Sequence, residues 1–288
     1  GIAPVERLLE RLLREWKPDA VVCTYMVYPY MLDSLASRTG RAVPYLTVVT
    51  DSFVINKSWL CSKSPLWAVT DPWTRAIMEE KGLPQDRLRV TGFPVNPVLG
   101  ALAEEHPLSW KEGEPFRVLY FAQRSARHAR AELAGMLDAN PALHVTCILG
   151  RRFRRIYPRI RDLRARYGRR LTVRGWTRRV PSYLAASHVV VGKAGGATVH
   201  EVLAAARPML VNFLLPGQEE GNTRLLEKLG GGSHVPDARA LASALQEMMA
   251  DGGAQWRRMH ENLLRAGMTG GSGRIADLAL KLAEEHTN

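Results

Sequence analysis

The chain has 288 residues, enough for two domains of average size, and 46% of them are hydrophobic, which excludes wholesale disorder. Lys and Arg number 40 against 28 Asp and Glu, and the net charge of +12 favours an anionic partner without choosing among nucleic acid, acidic lipid and phosphorylated substrates. The three cysteines form no C-x-x-C motif, which favours a reducing compartment, and no apolar run is long enough to span a membrane.

The first part of the chain alternates between predicted helices and strands. Apolar residues recur at helical spacing over residues 5–16, and Pro18 ends that helix. Two further helices are predicted at about 30–39 and 72–81. Strands are predicted at 20–25, 44–50, 65–70 and 87–92. The alternation indicates an α/β fold with a parallel sheet, and we assign residues 1–98 to a first domain.

The alternation then stops and starts again. Residues 92–115 contain four prolines and mixed charge, so we predict a linker at 99–115. Strands are predicted beyond it at 116–122, 144–150, 171–175, 187–192 and 208–213, and helices over most of 219–285. We therefore assign residues 116–270 to a second α/β domain and residues 271–288 to a C-terminal helix.

A glycine-rich turn, GKAGGATVHE (192–201), joins the predicted strand 187–192 to a predicted helix. In an open parallel sheet this strand-to-helix turn lies at the carboxyl edge, where ligands bind. Glycines allow a phosphate to approach the free N–H groups of the helix, and Glu201 suits the hydroxyls of a ribose. A tight turn with a charge that stabilises the helix start explains the same residues equally well.

Two more stretches extend this pattern. In FLLPGQEEGNTRLL (213–226), Gln218, Glu219 and Asn222 crowd the start of another predicted helix, where they suit the hydroxyls of a sugar or simply complement the helix dipole. Trp176 follows a predicted strand and suits contact with a base, although core packing is the more common role of a single Trp.

Together these stretches resemble the nucleotide-sugar-binding half of glycosyltransferase family 28, most closely monogalactosyldiacylglycerol synthase and the processive diacylglycerol glucosyltransferases. The ordered motifs are G-W-T, K-A-G-G-A-T, a helix Glu and P-G-Q-E-x-x-N. The stretches VVTDSFVINKSW, LWAVTD and VTGFPVNPVL resemble the latter part of the family's N-terminal domain. The resemblance implies the GT-B fold, in which two Rossmann-like domains face each other across a cleft, with the N-terminal one incomplete here.

The resemblance also implies roles for individual residues in binding a UDP-sugar. Trp176 would hold the uracil through its backbone, Glu201 would bind the ribose, and Lys193 matches the family's lysine. The diphosphate would contact Gly195, Gly196, Ala197 and Thr198. The sugar and the nearby phosphate would contact Gln218, Glu219 and Asn222. The resemblance implies no metal and no cofactor beyond the UDP-sugar as co-substrate.

Three departures from the family pattern bear on the chemistry. The glycine-rich loop and His that open the family's sequences are absent after Gly1, so we expect the segment credited with the catalytic base to be missing. In the stretch T-D…H…W, where family members often have a His, this chain has Asn56, a departure that bears on how the acceptor is handled. Asp51 is a candidate for orienting an acceptor hydroxyl, or a strand-end cap. The loop FAQRSARHA replaces a glycine-rich loop, and there Arg124, Ser125 and Arg127 would contact phosphate or remain solvated.

A strongly basic segment, residues 151–179, contains thirteen arginines and one acidic residue, Asp162. Over residues 151–170 apolar residues interleave with the arginines, so we predict a helix there with one apolar and one cationic face. A solvated face, an anionic lipid surface and nucleic acid all fit such a face. Nucleic acid fits least well, because the sequence contains no recognised nucleic-acid-binding motif and no run of stacking aromatics.

From the sequence and the resemblance we expect an inverting hexosyltransferase that moves galactose or glucose from a UDP-sugar to a lipid acceptor such as diacylglycerol. We expect it in the cytoplasm, peripheral on the inner face of the cell membrane, with an anionic membrane surface and no nucleic acid as partner. The alternatives are a non-catalytic nucleotide-sugar-binding subunit or fragment, and a basic protein that binds anionic lipid or nucleic acid.

Overall fold

The computed structural model of the protein describes residues 3–105 and 108–287. The chain divides into two compact units. The N-terminal unit contains residues 1–94 and 271–288, and the C-terminal unit contains residues 95–270. The chain therefore passes between the units twice, after Pro94 and after Gly270.

The N-terminal unit contains a four-stranded parallel sheet in the order β1-β2-β3-β4. Its strands are β1 (Val21–Cys23), β2 (Tyr45–Val48), β3 (Leu66–Val69) and β4 (Leu88–Val90). Its first helices are α1 (Ala3–Trp16), α2 (Val27–Thr39) and α3 (Pro72–Glu80). The four predicted strands are confirmed with narrower bounds, because the outer residues of each apolar run lie beyond the ladder.

The C-terminal unit contains a six-stranded parallel sheet in the order β10-β9-β8-β5-β6-β7. Its strands are β5 (Phe116–Phe121), β6 (Leu143–Ile148), β7 (Leu171–Arg174), β8 (Val189–Lys193), β9 (Met209–Phe213) and β10 (Gly232–His234). This is the Rossmann order, and its topological switch point lies between the neighbouring strands β5 and β8. Strand β10 falls where we predicted helix, because three residues rich in glycine and serine give no strand pattern.

Eight helices are described in the C-terminal unit, within residues 95–105 and 108–270. They are α4 (Val98–Glu105), α5 (Ala126–Ala139), α6 (Phe153–Ile156), α7 (Arg161–Tyr167), α8 (Val180–Ala185), α9 (Gly196–Ala204), α10 (Gln218–Lys228) and α11 (Ala238–Ala266). Helix α11 is interrupted at Ala250–Gly253, where the backbone leaves helical conformation. Helices α5 and α11 pack side by side and bury Leu133, Met136 and Trp256 in the unit's main core.

The predicted linker at 99–115 is wrong in its described part, because these residues belong to the C-terminal unit. Residues 98–105 form α4, and residues 106–107 lie outside the described residues. Trp110 is buried in the main core and packs edge-on against Phe116, with ring centroids 5.3 Å apart. Burial of a side chain this large is worth several kcal/mol, so the segment is anchored rather than extended.

The C-terminal helix, α12 (Ser272–Thr287), is part of the N-terminal unit. Ile275 of this helix lies in a buried cluster with Leu46, Val48 and Ala68, which come from β2 and β3. The Arg274 Nε atom also donates to the Thr91 carbonyl at 2.6 Å. The chain thus returns to complete one face of the first sheet.

Residues 151–170 of the basic segment are not the continuous helix that we predicted. The segment consists of the short helices α6 and α7, single 3-10 turns and strand β7, and the strand is the one that we predicted at 171–175. Pro158 lies in the 3-10 turn after α6, and Gly168 ends α7 with a φ of 56°, a left-handed value that favours glycine. Buried Ile156, Ile160 and Leu163 still anchor the segment to the core, so most of its arginines face outward.

Candidate active site

The carboxyl edge of the second sheet carries most of the residues that the sequence singles out. A cavity of about 580 Å³ opens there beside the switch point. It is lined by the last residues of β5, β6, β8 and β9 and by residues that follow them. The lining residues are Phe121, Ala122, Gln123, Ile148, Leu149, Gly150, Arg151, Arg152, Lys193, Phe213 and Leu215.

The turn after β8 exposes the beginning of α9. Gly195 is the N-cap of this nine-residue helix, and its φ of −69° is one that any residue adopts. A Cβ atom at Gly195 would lie 3.6 Å from Cε and 3.8 Å from Nζ of Lys193. The first turn of α9 contains no acidic residue. Because Gly195 and Gly196 carry no side chain, the turn leaves the first N–H groups of α9 accessible to an anion beside a lysine.

Lys193 is held by a partly buried ion pair. Its ammonium donates to one carboxylate oxygen of Glu219, whose side chain is 9% exposed. The other carboxylate oxygen accepts from the Leu215 N–H at 2.7 Å. The backbone N–H of Lys193 donates to Gln123 Oε1 at 3.2 Å, which connects the loops that follow β5 and β8. The structure therefore brings Lys193 and Glu219 together at the turn.

Asn222 is buried beside this pair. Its Nδ2 group donates to the Ala194 carbonyl at 2.9 Å, and its Oδ1 atom has no hydrogen-bond partner in the described part of the chain. Since buried polar atoms are nearly always bonded, an acceptor left open here is the kind of group that a ligand hydroxyl satisfies. The side chain of Gln218, at the start of α10, lies outside the described residues.

Glu201 is half-buried one turn into α9. Burial raises the pKa of its carboxyl group above the usual range. Within residues 3–105 and 108–287, no hydrogen bond or ion pair to this carboxylate is present, in contrast to the carboxylate of Glu219. A half-buried acceptor without donors fits the role in sugar-hydroxyl binding that we expected from the sequence.

Trp176 lies in the loop after β7 and is 59% exposed, which rules out core packing. The Arg178 guanidinium lies 5.7 Å from the centre of its ring. The half-buried residues Gly196 and Thr198 and the exposed Ala197 form the first turn of α9. The structure thus places Trp176 at the same edge of the sheet as α9, one loop beyond the cavity.

Two family models match the chain. The model for monogalactosyldiacylglycerol synthase matches residues 3–95, and the model for the glycosyltransferase family 28 C-terminal domain matches residues 132–272. Residues 132–272 thus form a glycosyltransferase family 28 C-terminal domain. The first match covers nearly all of the first segment of the N-terminal unit, and the second includes the turn after β8 and all of α9 and α10.

Curated relatives of the chain are named processive diacylglycerol β-glucosyltransferases. The protein from Staphylococcus carnosus is 25% identical over 252 residues, which are 86% of this chain and 63% of the relative. The protein from Bacillus subtilis is 23% identical over 285 residues, which are 97% of this chain and 73% of the relative. The chain therefore spans less than two thirds of the length of the S. carnosus protein.

Solved structures establish the GT-B fold. MurG from Acinetobacter baumannii matches with a TM-score of 0.61 and 15% identity, over 94% of this chain and 77% of that one. HepE from Anabaena, solved in complex with UDP, matches with a TM-score of 0.58 and 13% identity, over 96% of this chain and 81% of that one. The fold class expected from the resemblance is confirmed.

The loop after β5, where this chain departs from the family's glycine-rich loop, is held from beneath by a buried carboxylate. Glu132 is 2% exposed and accepts from Tyr120 Oη and from Asn212 Nδ2, both at 2.6 Å. Arg124 pairs with the other oxygen of Glu132 at 3.4 Å. We did not anticipate this network from the sequence, because its members are far apart along the chain and follow no periodic pattern.

The three loop residues that we expected to contact phosphate differ in their surroundings. Arg124 is turned inward, since it also donates to the carbonyls of Asn212 and Pro236. Ser125 is the N-cap of α5, where its hydroxyl accepts from the His128 N–H. Arg127 is exposed on the first turn of α5. Arg124 and Ser125 thus have structural contacts that account for them.

Asp51 lies after β2 in the N-terminal unit and is 1% exposed. Its carboxylate accepts from Trp59 Nε1 at 2.7 Å, a buried contact that gives the residue a structural role. Asn56 caps the 3-10 turn Lys57–Leu60 by accepting from the Ser58 N–H at 2.9 Å. Among the described residues, no cluster of three or more His, Cys, Asp or Glu side chains is arranged to hold a metal ion.

Proposed function

We propose that the protein transfers a hexose from a UDP-sugar to the hydroxyl of a lipid such as diacylglycerol, with inversion at the sugar carbon. The observation that carries this proposal is the turn at Lys193–Thr198, which opens the start of α9 at the switch point of a family 28 C-terminal domain. The names of the curated relatives support the lipid acceptor, and the structure of HepE with UDP supports the donor class.

In this proposal the donor's diphosphate binds at the N-terminal turn of α9, formed by Gly195, Gly196, Ala197 and Thr198. The N–H groups of a helix start carry about half a positive charge, and Lys193 adds an ammonium beside them. Both favour the negative charge that develops on the departing UDP, so they stabilise the transition state more than the bound substrate.

Two hydrogen-bond acceptors without a partner in the described residues, Glu201 and Asn222 Oδ1, are assigned to hydroxyl groups of the UDP-sugar. Glu201 takes the ribose hydroxyls, which replace the solvation that its carboxylate loses by burial. Asn222 and Glu219, with Gln218, take the hexose and the adjacent phosphate. Trp176 lies at the same edge of the sheet and takes the uracil through its backbone. The group that deprotonates the acceptor is not assigned.

We propose glucose as the sugar, because the curated relatives are named glucosyltransferases. Galactose is the second candidate, because the family model that matches residues 3–95 is named for galactosyl transfer. The two sugars differ in the orientation of one hydroxyl, so a direct comparison of UDP-glucose and UDP-galactose decides between them.

We further propose that the protein acts at the inner face of the cell membrane as a peripheral protein. No described helix is long and apolar enough to cross a bilayer. Eleven exposed arginines of the basic segment have no acidic partner among the described residues, and anionic lipid attracts such groups. They are Arg151, Arg152, Arg154, Arg155, Arg159, Arg161, Arg164, Arg169, Arg174, Arg178 and Arg179.

Calorimetric titration with UDP tests the donor site, with ADP as the ligand control. Glu201→Ala should weaken UDP binding by about tenfold or more, the loss of two hydrogen bonds to a charged acceptor. The matched control, Glu227→Ala, removes an exposed carboxylate from α10 and should leave the affinity unchanged. A folded chain that does not bind UDP, or that binds ADP equally well, contradicts the site.

The transfer itself is tested with labelled UDP-glucose and UDP-galactose and dioleoylglycerol in mixed micelles, followed by chromatography of the lipids. A labelled glycolipid that is lost in Glu201→Ala supports the proposed activity. UDP binding without a glycolipid from either donor would contradict the transfer and leave the donor site standing.

A further inference from the structure

A second cavity lies toward the amino edge of the same sheet, away from the donor turn. Its volume is about 350 Å³. Its lining residues come from the starts of β5, β6 and β7 and from α8 with the residues after it. The polar residues of this lining include Arg117, His144, Thr146, Arg169, Arg170 and Thr172.

The strands that form this cavity depart from the usual pattern of a parallel sheet. Strands covered on both faces are apolar throughout, but β6 and β7 alternate. Leu143 and Val145 are buried, whereas His144 and Thr146 are half-buried on the opposite face. Thr172 pairs with Thr146 across the two strands and is also half-buried. Part of one face of the sheet is therefore open and polar.

Three guanidinium groups surround this open face. Arg117 donates to the Ala186 carbonyl, and Arg170 donates to the carbonyls of Leu137 and Asn140 at 3.0 and 3.1 Å. Neutral carbonyls orient these cations without cancelling their charge. Arg169 is exposed, and the described residues provide no hydrogen-bond or ion-pair partner for it.

The positive charge of the cavity is not balanced from within. No carboxylate is among its described lining residues. Burial lowers the pKa of His144, and the nearby Arg170 and Arg117 lower it further. Like charges held together in this way repel each other unless an anion lies between them.

We infer that this cavity binds a phosphate group, carried either by a small phosphorylated molecule or by the headgroup of an anionic phospholipid. Guanidinium groups bind phosphate oxygens through paired hydrogen bonds, and the hydroxyls of Thr146 and Thr172 provide additional donors. A water molecule occupies about 30 Å³ of liquid, so the cavity has room for the phosphate and part of its carrier. This inference does not rest on the proposed transferase activity.

The NMR signal of the His144 imidazole tests the site in the full chain, with the signal assigned by its loss in His144→Gln. Inorganic phosphate should shift this signal saturably and raise the pKa of His144, because a bound anion favours the imidazolium. Dihexanoyl phosphatidylglycerol below its micelle concentration tests the lipid source, with dihexanoyl phosphatidylcholine as the zwitterionic control. Tighter binding of phosphatidylglycerol than of inorganic phosphate assigns the site to a headgroup, and the reverse order assigns it to a small phosphorylated molecule.

Two variants distinguish a built site from a diffuse positive field. Arg169→Gln should raise the Kd for phosphate about tenfold, whereas Arg161→Gln, an exposed arginine outside the cavity, should leave it within about twofold. Thr146→Val, which keeps the charge, should raise the Kd about threefold. Far-UV circular dichroism verifies that each variant is folded. Equal effects of the two arginine variants, an unmoved His144 signal at saturation, or equal binding of phosphatidylcholine would overturn the inference.

Discussion

The two edges of the second sheet differ in how their positive charges are balanced. At the carboxyl edge each partly buried cation has a carboxylate partner, Lys193 with Glu219 and Arg124 with Glu132. At the amino edge, Arg117 and Arg170 are held by neutral carbonyls. The exposed Arg151 and Arg152 at the carboxyl edge also have no carboxylate partner among the described residues, so it is the presence of these two ion pairs that distinguishes the carboxyl edge from the amino edge.

This difference shows why net charge alone does not locate an anion site. A paired cation mainly holds loops in place, and an anion that approaches it must compete with the existing carboxylate. An unpaired cation projects its field into the neighbouring space. At the carboxyl edge the start of α9 therefore supplies much of the attraction for an anion, and at the amino edge the side chains supply it.

The largest expected effect on stability comes from removing the buried carboxylate of Glu132 at the carboxyl edge. Glu132→Ala leaves Tyr120, Asn212 and Arg124 without their shared acceptor, so the free energy of unfolding should fall by about 3–5 kcal/mol. Urea denaturation measures the change. Glu132→Gln keeps one acceptor oxygen and should lose less. If the two variants are equally stable, the carboxylate does not hold this edge together.

The next effect concerns His188, which precedes β8 at the amino edge and is 1% exposed. Burial, assisted by Arg117, lowers its pKa to about 4 from 6.5. Because His188 stays neutral in the folded chain but takes up a proton in the unfolded chain, the free energy of unfolding should be at its full value above pH 6.5. It should fall by about 3 kcal/mol on acidification to pH 4.

Urea unfolding at a series of pH values measures this loss. His188→Asn should flatten the curve between pH 6.5 and 4, whereas removal of the exposed His234 should leave it unchanged. A wild-type slope that persists in His188→Asn would show that His188 is not the group responsible for the loss of stability.

A smaller effect is expected from the lysine beside α9. Lys193→Met removes the ammonium at the turn and leaves the Glu219 carboxylate unpaired there, so UDP binding should weaken about tenfold. Phosphate binding at the amino edge should not change, which separates the two sites. Arg224→Met, an exposed cation on α10, is the calorimetric control. An equal loss of UDP affinity in Arg224→Met would show that Lys193 acts only through the overall positive charge and makes no specific contact.

The smallest effect distinguishes a cap from a ligand contact in the loop after β5. Ser125→Ala removes the N-cap of α5 and should lower the free energy of unfolding by about 1 kcal/mol. Ser125→Asn restores a capping oxygen and should recover most of the loss. UDP affinity should be the same in the wild type and in both variants. A weaker affinity in Ser125→Ala would show that Ser125 contacts the phosphate.

Features that depend on local patterns were predictable from the sequence. The runs that became β5, β8 and β9 are apolar and end at turn residues, so their position and type were predicted, and the glycine-rich turn indicated the start of α9. The basic segment was misjudged, because its apolar spacing is helical whereas Pro158 and Gly168 divide it.

Features that depend on distant partners were not predictable. The carboxylate of Glu132 meets Asn212 from 80 positions away, and the pairing of Lys193 with Glu219 depends on how two loops approach each other. Trp110 looked like part of a linker because its core partners, Phe116 and Trp256, come together only in the folded unit. Contacts across the sheet leave no periodic signal in a single sequence.

The return of α12 to the first sheet determines the order in which the two units can fold during synthesis at the ribosome. The C-terminal unit is one continuous stretch, so all of its strands are available once residue 270 has emerged. The N-terminal unit is translated first but lacks Ile275 against Leu46 and Val48 until the last helix appears. We therefore expect the later-made unit to mature first, while the earlier one presents an uncovered apolar face that chaperones recognise.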